Sequence, residues 1–396
     1  MSVSDPAHPR YGQHLTQDEV KDLVKPADDA LDAVHEWLAG HGIGADKLTY
    51  SPTRDWIKLS LPISQIEAML DTQYHVFVHE DGTELMRAPE WSLPLHLHEH
   101  IATIQPTNSF LRPMRRSTTV KGWGPPVASG DFPPPVDSAS VEAVCNESLV
   151  TPLCLRTFYG TVNYTVKAAD KNKMALNDFL GEINNRSDTE IYLSKYRPEA
   201  AAGAYQFKQI SIAGGTLQQT PENETQLESG TGIEGNLDVQ TLLGIAWPTP
   251  LVAYSTGGLD PDFIPDMWTP ENTDEPYLVW LQYILSLPDS ELPTVVSTSY
   301  ADDEQTVSYD YAVQTCNMFA QLGARGVTVL FGSGDEGVGA DGNCYSNDGR
   351  NASMFLPEYP SSCPYITAVG ATHGFNPEGK NGRATRQPWR PETRRC

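Results

Sequence analysis

The sequence lacks any run of 18 or more apolar residues, and it is poor in basic side chains, with 27 Lys and Arg against 51 Asp and Glu. The first absence argues against a membrane-spanning helix. The second gives a net charge of -24 at pH 7, which repels nucleic acid and anionic lipid. Neither partner is expected. The 396 residues, 39% of them hydrophobic, suffice for one large domain and one small one.

The N-terminal sequence MSVSDPAHPR also lacks the apolar core of a signal peptide. Six cysteines and five Asn-x-Ser/Thr sequons nevertheless indicate a secretory route. We therefore expect a secreted, extracellular glycoprotein with disulfides, whose N-terminus is incomplete as given. The sequons begin at Asn146, Asn163, Asn185, Asn223 and Asn351.

Residues 1–110 predict a small α+β domain. In LTQDEVKDLV, Thr16 and Glu19 have the spacing of a capping box that begins a helix. The other predicted elements are a helix with Leu31, Val34 and Leu38 on one face, a strand from Ile57 to Leu61, and a hairpin turn at Asp81-Gly82.

The rest of the chain divides into three segments. Residues 111–144 are rich in Pro, Gly and Ser, which predicts a linker that contains a maturation site. Residues 145–375 alternate strands with helices, a pattern that predicts a parallel α/β sheet covered on both faces, with reactive groups at the carboxyl ends of its strands. Residues 376–396 form a basic tail. The candidate strands are FKQISI, PLVAYS, TVVSTSY, VTVLFGSG and YITAVGA.

Two carboxylates stand four residues apart in TGIEGNLDVQ. If a helix begins after Gly232, Glu234 and Asp238 share one face, with Cβ atoms about 5–6 Å apart. Two close carboxylates tend to share a proton, so one of them acquires a pKa suited to a general base in acid. For such a pair taken alone, the favoured explanation is a plain acidic helix start, which the helix dipole stabilises.

A Gly-rich loop follows the apolar run in VTVLFGSGDEGVG. It places Asp335 just past the carboxyl end of a strand. A carboxylic acid kept neutral there could donate a hydrogen bond to a developing oxyanion. The alternative is a turn aspartate that binds local backbone groups.

Taken in order, the motifs of this chain resemble the sedolisin, or serine-carboxyl peptidase, family, and within it the secreted fungal tripeptidyl-peptidases. The resemblance runs from about residue 4 to residue 375. Its motifs are HPRYGQHLTQDEV, IQPTNSF, VTPLCLRTFYGT, NDFLGE, GNLDVQ, STSYADDEQ, FGSGDEGVG and FLPEYPSSCPYITAVGAT. Such a series in fixed order is far more specific than any one motif.

The resemblance implies a subtilisin-like, doubly wound parallel sheet, C-terminally truncated here, preceded by a ferredoxin-like activation propeptide. It implies a Ser-Glu-Asp triad acting at acidic pH, with Glu234 as general base, Asp238 as its orienting partner and Asp335 as the oxyanion acid. Ser299, Gly332 and Gly334 are expected to contact substrate. The expected partners are peptide or protein substrates and the chain's own propeptide, in a monomer.

The family's nucleophile lies in a Gly-Thr-Ser-x-Ser segment, which these 396 residues do not contain. The expected calcium ligands would lie in the same absent region. We therefore expect a precursor of a tripeptidyl-peptidase that is inactive as written. The switch to a basic tail after Phe375 suggests a premature end or a wrong reading frame.

Two other functions fit parts of the sequence. One is a non-catalytic protein whose propeptide binds or inhibits a peptidase; a downstream reading frame without a Gly-Thr-Ser-x-Ser segment would favour it. The other is a glycosidase, but its paired acids would come from separate elements, about 5–5.5 Å or 6.5–9.5 Å apart. The sequence does not distinguish exopeptidase from endopeptidase action.

The cysteines and histidines give weaker indications. Cys145 and Cys154 are close enough in sequence to close a short loop. Cys316 is expected either to pair with Cys363 or to remain a buried thiol, and Cys344 would then need Cys396 or a downstream partner. The histidines in LPLHLHEHI alternate like a row of ligands but are expected to be solvated, so no metal site is predicted.

Overall fold

The computed structural model contains a small N-terminal α+β unit followed by a large α/β domain. The predicted fold class is therefore confirmed. The structure describes residues 3, 5, 7–78, 84–105, 107, 140–146, 148–260, 262–266, 269–270, 272–334, 344–370 and 375.

The N-terminal unit begins with the predicted capping box. Glu19 Oε2 accepts a hydrogen bond from Thr16 N at 2.8 Å, and Thr16 Oγ1 accepts one from Glu19 N at 3.3 Å. Both N-terminal helices lie where the sequence predicts them. The elements are α1 (Gln17–Val24), α2 (Asp28–Gly40), β1 (Thr49–Tyr50), β2 (Ile57–Lys58), α3 (Ile63–Leu70), β3 (His75–Val78) and β4 (Glu84–Arg87).

In this unit β1 pairs with β2 and β3 with β4, both antiparallel. The predicted strand from Ile57 to Leu61 was too long. It ends at Lys58, because Pro62, the N-cap of α3, turns the chain into a helix, while Leu59 and Leu61 pack against the unit's core. The predicted turn at Asp81-Gly82 lies outside the described residues.

The large domain alternates helices and strands, as its sequence predicts. The five candidate strands all form, as β6, β7, β8, β10 and β12. The elements are α4 (Val141–Val144), α5 (Pro152–Phe158), β5 (Met174–Asp178), α6 (Arg186–Tyr196), β6 (Lys208–Ile212), α7 (Glu224–Glu228), α8 (Ile233–Ala246), β7 (Leu251–Thr256), α9 (Tyr277–Ser286), β8 (Val295–Thr298), β9 (Asp302–Asp303), α10 (Tyr309–Ala324), β10 (Thr328–Gly332), β11 (Glu358–Tyr359) and β12 (Thr367–Val369).

Six of these strands form one parallel sheet in the order β12-β10-β8-β5-β7-β6. From β5 the order runs outward through β8, β10 and β12 on one side, while on the other side β7 lies between β5 and the edge strand β6. β5 lies in the middle of the sheet, yet it was not among the strands predicted from periodicity. Its sequence MALND ends in two polar residues, so it lacks the continuous apolar run of a buried parallel strand.

Helices cover both faces of the sheet. On one face, α9 and α10 contribute Trp280 and Phe319 to the largest buried cluster. On the other face, Leu193 of α6 and Val239 of α8 pack against Leu176 of β5. These side chains are fully buried, and the two clusters to which they belong hold the layers together.

The N-terminal unit docks where α9 and α10 end. Leu15 N donates a hydrogen bond to Ala324 O at 2.9 Å, and Gln17 Nε2 donates one to Leu285 O at 3.0 Å. The side chain of Trp56 packs against the large domain's core. Because these helices run antiparallel to the strands, this docking lies at the amino edge of the sheet.

Two predicted cysteine pairs are confirmed as disulfides. Cys145 bonds to Cys154 and Cys316 to Cys363, with Cα atoms 4.7 and 5.7 Å apart. The first joins the end of α4 to α5, and the second joins α10 to the segment that follows β11. Cys316 is therefore a bonded cysteine and not a free buried thiol.

The carboxyl edge of the sheet brings three distant segments together. Asp178 ends β5, Ser299 directly follows β8, and Gly332 ends β10, and these three strands are neighbours in the sheet. The N-terminus of α8 also reaches this edge, because α8 runs antiparallel to β7. The predicted site residues that the structure describes therefore lie at one edge. Across the described residues, none of the helices has the length and apolar character that crossing a bilayer requires.

Candidate active site

The two predicted acids lie on consecutive turns of α8. The helix begins at Ile233, directly after Gly232, so Glu234 is in its first turn and Asp238 follows four residues later. Gly232 has φ +85°, in the left-handed region that favours glycine, and this lets the chain turn sharply into the helix. The predicted helix start is confirmed; the catalytic roles of the two acids remain predictions.

Asp238 faces the segment that follows β8. Ser299 Oγ donates a hydrogen bond to Asp238 Oδ1 at 2.8 Å, while Asp238 Oδ2 is buried and accepts none. Burial raises the pKa of Asp238 to about 7, the hydrogen bond from Ser299 opposes this rise, and the charge of Glu182 adds to it. Asp238 therefore carries a proton at acidic pH, although the residue is only half-buried.

Asp178 lies beneath this pair at the end of β5. It is fully buried, and neither carboxyl oxygen accepts a hydrogen bond of normal geometry. Burial raises the pKa of Asp178 well above the usual range, and the charge of Asp238 raises it further. The nearby amide of Asn184 lowers this pKa. Asp178 is therefore held as a neutral acid.

Tyr300 closes the buried side of the site. Its ring packs edge-on against Phe179, with centroids 5.4 Å apart, and its hydroxyl is buried without a hydrogen bond. Burial raises the pKa of Tyr300 well above its usual range, and the charges of Asp178 and Glu182 add to the rise. The phenol therefore stays neutral next to the acids.

The segment after β5 holds the first turn of α8. Glu182 Oε2 accepts hydrogen bonds from Gly232 N at 2.9 Å and Gly235 N at 3.2 Å. Asn184 Nδ2 donates one to Gly235 O at 2.7 Å. A Cβ at Gly235 would lie 2.7 Å from Ile183 O, so only glycine allows this close approach.

The predicted substrate-contacting residues border the same edge. Ser299 is exposed, and so are Gly332 and Gly334. Gly332 O accepts a hydrogen bond from Ser361 Oγ at 2.5 Å, which fixes the end of β10. Gly334 has φ +81°. Asp335, the predicted oxyanion acid, lies outside the described residues, so its role remains a prediction.

A separate group of acids lies near β9 and the loop before α9. We call them the sealed acids: Asp260, Asp274, Glu275 and Asp302, each at most 2% exposed. Tyr277 donates its hydroxyl to Glu275 Oε2 at 3.1 Å, and Thr306 donates to Asp274 Oδ2 at 2.9 Å. Burial raises the pKa values of Asp302 and Asp260 well above their usual range.

No set of metal ligands was predicted within these 396 residues. The calcium ligands expected from the family resemblance were placed in a downstream region. Within the ranges that the structure describes, no group of three or more His, Cys, Asp or Glu side chains is arranged to hold a metal ion. The described residues therefore do not fit calcium, and no step below depends on a metal.

Sequence reasoning missed Asp178, Glu182 and Tyr300 as parts of this site. One of them had a signal in the sequence, because Tyr300 is the next residue after Ser299 in STSY. The apolar stretch before Asp178 is too short to indicate a strand end. The contact of Glu182 with α8 spans 50 residues, and sequence periodicity gives no sign of it.

The N-terminal unit matches a known domain. Residues 1–110 match the model of the pro-kumamolisin activation domain. The match covers the unit predicted to be a propeptide and identifies it by homology.

The full chain is similar to fungal peptidases. It is 36% identical over 380 residues to tripeptidyl-peptidase SED2 of Arthroderma otae and 35% identical over 383 residues to the probable tripeptidyl-peptidase SED2 of Arthroderma benhamiae. Both alignments cover 95% of this chain. The chain spans 61% of the length of each of these curated relatives.

Among solved structures, the chain is similar to Pseudomonas sedolisin, a serine-carboxyl proteinase, with a TM-score of 0.36 and 19% identity, covering 55% of this chain and 52% of that one. The sequence relatives, which align along almost the whole chain, carry the assignment. The resemblance of the motifs to the sedolisin family and to fungal tripeptidyl-peptidases is thereby confirmed, and the N-terminal unit of the chain matches an activation domain.

Proposed function

We propose that the protein is the precursor of an acid-acting serine-carboxyl peptidase that removes tripeptides from protein N-termini. The observation that carries the proposal is the arrangement of acids on α8 at the sheet's carboxyl edge. Glu234 and Asp238 lie one turn apart, and Ser299 hydrogen-bonds Asp238 from the neighbouring segment. The curated relatives named tripeptidyl-peptidases support the substrate class.

Each acid has a role in this proposal. Glu234 takes the proton from the nucleophilic serine, and Asp238 orients Glu234. A protonated Asp335 donates a hydrogen bond to the oxyanion. A pKa near 7 leaves Asp238 protonated in acid, where it can donate a hydrogen bond to a neighbouring carboxylate. A carboxylate base suits acidic pH, where a histidine would be charged.

We also propose that these 396 residues alone do not hydrolyse peptides, because they contain no Gly-Thr-Ser-x-Ser segment. Without that serine, Glu234 has no predicted nucleophile to activate. Acid peptidase activity from the purified 396-residue chain that disappears in Glu234→Gln would contradict this part of the proposal.

The peptidase proposal is tested on the extended protein. The reading frame of the gene, followed past codon 378, should encode a Gly-Thr-Ser-x-Ser segment, and the extended protein should release tripeptides near pH 4 from peptides with a free N-terminus. The same peptides with acetylated N-termini are the control. Glu234→Gln should lower kcat about 10²–10⁴-fold, as expected for loss of a general base.

Two results would count against the peptidase. A downstream frame without the serine segment, combined with tight binding to another peptidase, would favour the non-catalytic inhibitor. Activity that survives Glu234→Gln would remove the predicted base.

The remaining features of the precursor belong to the same proposal. We propose a secreted, glycosylated monomer whose propeptide is removed by cleavage between residues 111 and 144, with a calcium site supplied by the downstream region. Mass spectrometry of the secreted protein checks the cleavage position and the glycans together.

A further inference from the structure

Helix α8 begins without a cap of its own. Its N-cap position is Gly232, which has no side chain to accept a hydrogen bond from the first free amides. At most helix starts a Ser, Thr, Asp or Asn at this position binds the N3 amide. Here the N3 residue is Gly235, and its amide needs an acceptor from elsewhere in the fold.

Glu182 supplies that acceptor from the segment after β5. A single oxygen, Oε2, accepts hydrogen bonds from Gly232 N and Gly235 N at 2.9 and 3.2 Å. The residue is 6% exposed, so water competes little for these amides. Its negative charge also lies at the positive end of the helix dipole.

The two capped amides flank Glu234. Gly232 lies two residues before it and Gly235 directly after it, so both ends of this short stretch are fixed. Asn184 adds a bond from Nδ2 to Gly235 O at 2.7 Å, and Asn185 N donates to Asn236 Oδ1 at 2.7 Å. The turn that carries the predicted base is therefore held by residues 182–185.

We propose that Glu182 is a positioning residue of the acid site: its carboxylate caps the first turn of α8 and so fixes Glu234 and Asp238 relative to Ser299. The proposal deepens the proposed function and rests on it. Glu182 acts through the helix and is not assigned a catalytic step.

The charge of Glu182 provides a second measurable effect of its positioning role, a shift in the pKa of Asp238. Glu182 is among the charges that raise the pKa of Asp238 to about 7, after burial. The groups around it are Asp178, Asp238, Glu234 and Tyr300. Removal of this charge should therefore lower the pKa of Asp238, which a purely structural contact would not do.

The test compares Glu182→Ala with Glu182→Gln in the full chain. Alanine removes both the acceptor and the charge; glutamine keeps an acceptor and removes only the charge. Selective ¹⁵N-glycine labelling reports hydrogen exchange at Gly232 and Gly235, with Gly323 of α10 as the internal reference. ¹³C labelling of aspartate carboxyls reports the titration of Asp238. Glu36→Gln, on the exposed face of α2, removes the same charge far along the chain and is the control.

The two variants should separate the two effects. Glu182→Ala should speed exchange at Gly232 and Gly235 about fivefold or more, as expected for a lost cap, and leave Gly323 unchanged. Glu182→Gln should keep most of this protection and move the titration of Asp238 below its wild-type midpoint. Glu36→Gln should change neither.

Unchanged exchange at Gly235 in Glu182→Ala would overturn the proposal, and so would equal acceleration at Gly323, which indicates general destabilisation. If the alanine variant does not fold, the glutamine variant decides: an Asp238 titration identical to wild type overturns the proposal. Neither readout requires peptide hydrolysis. A failure of the peptidase proposal would therefore be seen separately, in the activity assay of the extended protein.

Discussion

The molecule contains two groups of acids that differ in access to solvent. We call Glu234 and Asp238 the cleft acids: they are half-buried at the carboxyl edge of the sheet, and the exposed Ser299 hydrogen-bonds one of them. The sealed acids, by contrast, are at most 2% exposed and are covered by tyrosine rings and backbone. Each group contains an acid with a raised pKa, Asp238 in the cleft and Asp302 among the sealed acids, and burial is the first cause in both.

The comparison shows that a raised pKa alone does not identify a reactive site. Burial raises the pKa of Asp302 well above its usual range, yet nothing the size of a substrate can reach it. Asp238 also has a raised pKa, but it has a hydroxyl partner and an exposed neighbour at the sheet edge. The cleft acids are therefore the better candidates for a reactive site. The sealed acids instead make the stability of the fold depend on pH.

The largest expected effect is a loss of stability as pH rises. Buried acids with raised pKa values keep their protons in the folded state, while the unfolded chain releases them from about pH 4 upward. Stability is therefore full below about pH 4 and falls by about 1.4 kcal/mol per pH unit for each such group, until the pH passes its folded-state pKa.

Asp302, Asp260 and Asp178 all act in this direction. Exposed acids with lowered pKa values, such as Glu19 and Asp348, oppose it weakly. Urea denaturation from pH 4 to pH 8 measures the slope. A free energy of unfolding that rises over this range would contradict the assignment of the sealed acids.

Removal of one sealed acid should flatten this slope. The asparagine in Asp302→Asn cannot ionise, so the variant should lose less stability than wild type between pH 4 and pH 7. The difference should be about 1.4 kcal/mol for each pH unit over which Asp302 stays protonated in the folded wild-type protein. The exposed Asp348→Asn is the control and should not flatten the slope. Parallel curves for wild type and Asp302→Asn would show that this acid does not govern the pH dependence.

Helix α8 packs so closely against residues 182–185 that an added side-chain atom at Gly235 should destabilise the fold. Gly235→Ala places a Cβ 2.7 Å from Ile183 O and should cost about 1–3 kcal/mol of unfolding free energy as the helix shifts. Gly323→Ala is the matched control, because it lies in α10 with nothing within 4 Å of its Cβ and should stabilise by about 0.5–1 kcal/mol. Equal effects of the two variants would mean that α8 does not lie tightly against residues 182–185.

The smallest effect concerns the hydroxyl at the cleft. Ser299→Ala removes the hydrogen bond that lowers the pKa of Asp238, so that acid should titrate above its wild-type midpoint, with little change in stability. Ser286→Ala is the control, because the Ser286 hydroxyl donates a hydrogen bond to Tyr283 O at the end of α9. A midpoint that stays the same or moves down would remove Ser299 from the acid site.

Much of the fold could be predicted from the sequence because its signals are local. The capping box at Thr16 and the apolar strands of the large domain follow from residues within one element. Two disulfides were predicted correctly, although a free thiol at Cys316 fitted its sequence equally well.

The parts that could not be predicted depend on long-range contacts or on polar residues in buried places. Strand β5 was missed because Asn177 and Asp178 interrupt its apolar pattern, although both are fully buried. Glu182 caps α8 from 50 residues away. The sealed acids come from separate loops, and only the folded chain brings them together. Buried polar groups of this kind break the patterns that sequence reasoning uses.

The central claim is that one turn of α8 places Glu234 and Asp238 in an acid site in which Asp238 holds its proton far above the ordinary pH range of an aspartate. The most direct test is a ¹³C titration of the aspartate carboxyls in the wild-type chain, with Asp238 assigned by its loss in Asp238→Asn. The account predicts a midpoint of about 7 for Asp238. A midpoint near 4, that of an ordinary exposed aspartate, would contradict it.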